Sequence, residues 1–179
     1  MTSVGTVYAQ ALYSLAKDED CCKVILDQLT VLQESFAAEP DFLRLLAAPN
    51  LSKEERCAVV DSSFRDKVHP YLLNFMKILC ENGTIRQFGD CAQEFKRRYN
   101  EDNGILEVQA VTAVAMNEAL TAKLRDRLSE VTGKRIELSC KVDPTCLGGV
   151  RLEMDGMQMD GTIQQRLDTM RRQLAETVL

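Results

Sequence analysis

Seven cysteines and one histidine are the side chains best suited to nucleophilic or metal chemistry. The thiols, Cys21, Cys22, Cys57, Cys80, Cys91, Cys140 and Cys146, are scattered. No C-x-x-C pair occurs, and zinc sites need closely spaced ligand pairs, so no metal is expected. Cys80, Cys91 and Cys140 sit among apolar positions and read as small core residues. Cys22 and Cys146 are the least obviously buried, and a small cysteine-dependent enzyme would have to use one of them. His69 has no partner pattern and precedes Pro70 at a helix start, where an exposed turn histidine is expected. Asp155 and Asp160 flank a turn, a setting in which Asp usually bonds local backbone. Gly148-Gly149 either lets a ligand approach the main chain or bends the chain into a strand. No phosphate loop, dinucleotide fingerprint or G-x-S-x-G elbow is present. No catalytic residue and no cofactor are expected.

The elements around these residues are mostly helical. The 179 residues include 45% apolar ones, enough for a sizeable core, with only nine Gly and four Pro. The net charge is −5, and neither half is basic, which disfavours nucleic acid as a partner. The triplet Lys96-Arg97-Arg98 is balanced by Glu94, Glu101 and Asp102 and reads as a solvated face. No apolar run is long enough to span a bilayer, and no secretory leader is expected. Free thiols in this number suit a reducing compartment.

A first helix covers Val4 to Ala16, with Val4, Tyr8, Ala11, Leu12 and Leu15 at helical spacing and Val7, Ala9 and Ala16 on other sides. Helices then follow around Ile25–Phe36, Asp41–Ala48 and Ser52–Phe64. The third of these opens with a capping box, Ser52 to Glu55. A fifth helix, His69 to Glu81, is apolar on two stripes: Leu72, Phe75, Met76 and Leu79, and Tyr71, Phe75, Ile78 and Asn82. Asn82-Gly83 terminates it. A sixth runs to Asn103-Gly104 with Ile85, Phe88, Ala92, Phe95 and Tyr99 inward.

The period then changes from 3.6 to 2. Ile105–Ala115 reads as a strand. Asn117 caps a helix with Leu120, Leu124, Leu128 and Val131 on one face, ended by Gly133. Ile136–Val142 and Val150–Met154 alternate as strands. Thr162 caps a last helix with Ile163, Leu167, Met170, Leu174 and Val178 on one side. The expectation is an α+β chain, mainly α: a six-helix bundle over 1–104, then a β-α-β-β-α domain over 105–179.

Helices one and five carry more apolar surface than one core stripe needs: either both are central in the bundle, or a groove between them takes a partner's amphipathic helix. The residues that carry a family likeness come next. Tyr8-Ala9-Gln10-Ala11-Leu12, Phe42-Leu43, Pro49 with Lys53, Glu81-Asn82-Gly83, Val142-Asp143-Pro144 with Leu147-Gly148-Gly149, and Asp160-Gly161-Thr162 through Leu167 follow one another in order. Together they resemble the delta subunits of bacterial rotary ATP synthases, relatives of the mitochondrial oligomycin-sensitivity-conferring protein. Val7 stands where the family often has Arg or Lys, and Thr162 where it has Ser.

The resemblance implies a non-catalytic stator subunit, peripheral on the cytoplasmic face of the bacterial membrane. Its first domain would hold N-terminal helices of alpha subunits. Its second would grip the C-terminal ends of the b subunits, so that rotor torque is resisted and proton flow is coupled to ATP synthesis. The head contact falls on Tyr8, Ala11 and Ile78. Helical spacing adds Leu15, Tyr71 and Phe75. Leu167, Met170 and Leu174 are candidates for the stalk. An unrelated helical adaptor is the remaining alternative.

Overall fold

The structure is a computed structural model that describes residues 3–48, 51–144, 146, 148–154 and 157–161. The chain divides into two compact units, Met1–Tyr99 and Asn100–Leu179. Among the described residues it holds seven α-helices and one four-stranded sheet, an α+β fold that is mainly helical.

The first unit is built from α1 (Ser3–Asp18), α2 (Cys22–Ala38), α3 (Pro40–Leu46), α4 (Lys53–Phe64), α5 (Pro70–Glu81) and α6 (Phe88–Asp102), the last entered through a 3-10 turn at Ile85–Gln87. Local chemistry explains the starts. Ser52 Oγ accepts from the Glu55 N–H at 3.2 Å while the Ser52 N–H donates to Glu55 Oε2 at 2.8 Å, the reciprocal capping box. His69 caps α5: its imidazole Nδ1 accepts from the Tyr71 N–H, and its own N–H donates to Gln28 Oε1 at 2.7 Å. Gly83 ends the following turn at φ +67, a conformation that L side chains rarely adopt.

One core joins these helices. Phe36 stands at its aromatic centre, edge-on to Phe88 with ring centroids 5.0 Å apart and stacked on Phe42 at 5.9 Å. Tyr13 of α1 meets Phe95 of α6 edge-on at 5.3 Å. Lys77 of α5 reaches Asp61 of α4 at 2.7 Å. Cys80 and Cys91 are core residues, as their setting suggested.

The second unit runs β1 (Ile105–Thr112), α7 (Glu118–Thr132), β2 (Arg135–Val142), β3 (Val150–Met154) and β4 (Met157–Asp160). Asn117 Oδ1 accepts from the Leu120 N–H at 2.8 Å, and Gly133 closes α7 in the left-handed conformation. The sheet order is β2-β1-β3-β4, with β2 parallel to β1 and the other pairs antiparallel. The register sets Val108 beside Leu138 and Met154, and Ala110 beside Cys140 and Leu152.

Two expectations change here. β4 was not foreseen; Met157–Asp160 is a short Met-Gln-Met-Asp edge with little strand signal in its composition. Cys140 is exposed rather than buried, although Ile136 on the same face of β2 is covered. On α7, Leu124 and Leu128 are half-buried while Leu120 and Val131 are exposed. The last helix, expected from Thr162, lies outside the described residues.

Candidate interaction surface

α1 resolves its surplus of apolar residues into two stripes. Ala9, Leu12, Tyr13 and Ala16 recur at i, i+3, i+4 and i+7 and are buried. Of the others, Val7 is 64% exposed, Leu15 is 40% exposed, Ala11 is exposed and Tyr8 is half-buried. α5 does the same. Leu72, Leu73, Phe75, Met76, Leu79 and Cys80 face the core, while Tyr71, Asn74 and Ile78 occupy the outer side, with Ile78 at 44% exposure.

α1 and α5 pack against each other. Asn82, the C-cap of α5, joins their outer faces: its Nδ2 donates to the Tyr8 hydroxyl at 3.2 Å and to the Ile78 carbonyl at 3.0 Å. Glu94 of α6 is 2% exposed and accepts from Arg97 at 2.7 Å and Arg98 at 2.8 Å. Those bonds hold its carboxyl below the usual range, the Arg97 bond foremost. Arg98 also donates to Gln10 Oε1 of α1 at 3.4 Å, so this pair of charges steadies α1 from the side of α6.

Of the residues expected at the groove, Tyr8, Ala11, Leu15, Tyr71 and Ile78 lie at least partly on the surface. Phe75 does not. It is 6% exposed and belongs to the core. It fits both stripes of α5 by spacing, and the inner stripe holds it. Val7 and Asn74 belong to the outer faces and were not among the expected contacts; Val7 showed itself in sequence only as apolar surface left over from the first stripe. Leu167, Met170 and Leu174 lie outside the described residues.

The thiols hold no assembled chemistry. Cys146 is buried and Cys22 half-buried. Burial pushes Cys80 and Cys91 up to about 11, and Cys21 and Cys57 are also raised, chiefly by burial. A raised thiol is a poor nucleophile at neutral pH. Lys96-Arg97-Arg98 is not a plain solvated face, since two of its members hold buried Glu94. Among the described residues, no three His, Cys, Asp or Glu side chains are placed to hold a metal ion. No described helix is long and apolar enough to cross a membrane.

What these residues assemble is a pair of packed helices with partly exposed apolar outer faces on a closed core. The family described as ATP synthase delta (OSCP) subunit matches residues 4–174. The ATP synthase subunit delta of Alkaliphilus oremlandii is 32% identical over 176 residues, 98% of each chain. That of Clostridioides difficile is 31% identical over 176 residues, 98% of this chain and 97% of its own. A chain of the Toxoplasma gondii mitochondrial ATP synthase hexamer shares the fold at a TM-score of 0.78 and 18% identity, covering 97% of this chain and 98% of its own. The chain belongs to the ATP synthase delta (OSCP) subunit family. It is a non-catalytic stator subunit of the peripheral stalk.

Proposed function

We propose that the outer faces of α1 and α5 seat N-terminal helical segments of the alpha subunits, on a first unit that works as a six-helix bundle over 1–104. The second unit, 105–179, holds the C-terminal ends of the b subunits, with Leu167, Met170 and Leu174 among its contacts. The subunit then links head to stalk on the cytoplasmic face of the bacterial membrane, resists rotor torque and couples proton flow to ATP synthesis. The observation that carries this reading is the pair of outer apolar faces joined through Asn82. An amphipathic helix laid across them covers Val7, Leu15 and Ile78, which otherwise meet water.

Titration of the full chain with a peptide from the alpha-subunit N-terminus tests the first contact. Ala11→Asp sets a charge on the exposed seam and is expected to weaken binding at least tenfold while the protein stays folded. Equal affinity in a folded variant removes the groove assignment. Affinity purification from native membranes tests the assembly, and absence of head and stalk subunits from the eluate counts against it.

A further inference from the structure

The chain carries two Asn-Gly pairs, Asn82-Gly83 and Asn103-Gly104. In such a pair the Asn carboxamide carbon can close a five-membered ring with the Gly nitrogen, and glycine has no side chain to hinder the attack. Asn82-Gly83 ends α5, and both residues are exposed. Beyond the chain neighbours of Gly83, no atom lies within 4 Å of where its side chain would start. The fold restrains the closure twice. With Asn82 at ψ 0, the Gly83 N–H donates to the Cys80 carbonyl at 3.1 Å. The Asn82 carboxamide is held by the Tyr8 hydroxyl at 3.2 Å and the Ile78 carbonyl at 3.0 Å.

We infer that Asn82-Gly83 is a site of spontaneous deamidation, guarded by Tyr8, whose product weakens the seat on α1 and α5. Helix ends fray at low free-energy cost, and fraying of the last turn of α5 releases both restraints. The Gly83 nitrogen then gives its proton to solvent and attacks Asn82 Cγ. The N–Cγ bond forms, the Cγ–Nδ2 bond breaks, and Nδ2 takes a proton and leaves as ammonia. One water opens the resulting succinimide at either carbonyl, giving aspartate or isoaspartate with no change of oxidation state. The product holds a carboxylate where Nδ2 was a donor. Tyr8 can turn its O–H toward that carboxylate, so the loss falls elsewhere. The Ile78 carbonyl loses its side-chain donor. A negative charge also stands at the C-terminal end of α5, where the helix dipole disfavours it. An apolar helix laid over the seam would have to strip that charge of water. The inference rests on the reading that α1 and α5 seat the alpha subunits, and it names a chemical route by which the seat is lost.

The test is incubation of the full chain at mildly alkaline pH, with peptide mapping by mass spectrometry to read aspartyl and isoaspartyl forms at each Asn-Gly pair. Asn103-Gly104 is the internal reference. Asn82 is expected to convert in the native wild type, and in urea the two pairs are expected to convert at like rates. Tyr8→Phe removes the guarding hydroxyl and is expected to speed native conversion at Asn82 by up to about fivefold, the worth of one exposed hydrogen bond, with Asn103 unchanged. Saturating alpha-subunit peptide is expected to slow Asn82 alone. Asn82→Asp, shown to be folded by its thermal melt, is expected to bind that peptide about fivefold more weakly or worse.

Asn82 that stays intact in the native chain while it converts in urea overturns the site. Equal Asn82 rates in wild type and Tyr8→Phe overturn the guard. Folded Asn82→Asp that binds the alpha-subunit peptide as tightly as the wild type overturns the effect on the seat. Tyr8→Phe acceleration in a chain whose wild type does not bind the peptide overturns the seat reading and keeps the guarded deamidation site.

Discussion

The Tyr8 hydroxyl accepts a 3.2 Å hydrogen bond from Asn82 Nδ2, across 74 residues of sequence, and so ties the exposed side of α1 to the end of α5. Asn82 holds the Ile78 carbonyl with the same nitrogen. The two outer faces are therefore fixed by a polar contact at one end, while their cores are fixed by packing. Tyr8→Phe keeps the ring and removes the bond. Because Asn82 is exposed, the expected loss of stability is below about 1 kcal/mol. The expected loss of affinity for the alpha-subunit peptide is a few-fold, read by calorimetric titration. A tenfold effect on stability with none on binding argues against a role at the interface.

Phe75 and Ile78 share α5 yet predict opposite phenotypes. Phe75 is in the core, so Phe75→Ala is expected to cost about 3–5 kcal/mol in a urea or thermal melt. Ile78→Ala trims a side chain that is 44% exposed and is expected to cost far less stability than Phe75→Ala, about 1 kcal/mol. Its cost appears instead in alpha-peptide affinity. A reversal of the two patterns contradicts the orientation of α5.

The elements were legible wherever one residue type has one local use. Ser52 with Glu55, Asn117, Gly83 and Gly133 marked helix ends through backbone chemistry that needs no tertiary partner. The site was legible only up to helical phase. A helix apolar on two sides names two faces without saying which is inside, and Phe75 satisfied both. Ala9 and Tyr13 lay outside the first stripe read for α1, and packing of Tyr13 against Phe95 identifies their side as the inner one. Leu120, Leu124, Leu128 and Val131 share one face of α7, but periodicity does not say what covers a face: Leu120 and Val131 are exposed, while Leu124 and Leu128 are half-buried.

Thiol labelling separates the buried from the surface cysteines. Cys80 and Cys91, pushed up to about 11 and enclosed in the core, are expected to resist iodoacetamide at pH 7.5 in the native protein. Cys140 is exposed and is expected to label first. Denaturant is expected to bring Cys80 and Cys91 to the rate of the others. Mass spectrometry of digested samples reads each site, and fast native labelling of Cys91 contradicts its place in the core.

Acid stability is expected to depend on Glu94. Its carboxyl is held below the ordinary range by Arg97 first and Arg98 second, so folding favours the ionised form. A group whose folded pKa lies below its unfolded value contributes stability above the unfolded value and loses it as pH falls. The contribution is thus complete at neutral pH and fades below about pH 4.5, the ordinary value of a Glu carboxyl. Glu94→Gln keeps the shape and removes the charge. Because Arg97 and Arg98 are partly exposed, the two cations regain water, and the expected cost at pH 7 is about 1–2 kcal/mol rather than that of a sealed pair. At pH 3 the difference between variant and wild type is expected to shrink, since the wild-type carboxylate is by then being protonated. Melts of both proteins from pH 3 to pH 8 check the slope, and a gap that does not change across that range shows that the Arg97 and Arg98 bonds carry no linked proton. Arg98→Lys tests the second function of the cluster: it keeps a charge near Glu94 but removes the forked reach to Gln10, so α1 is expected to lose its tie to α6 with little change in the acid limb.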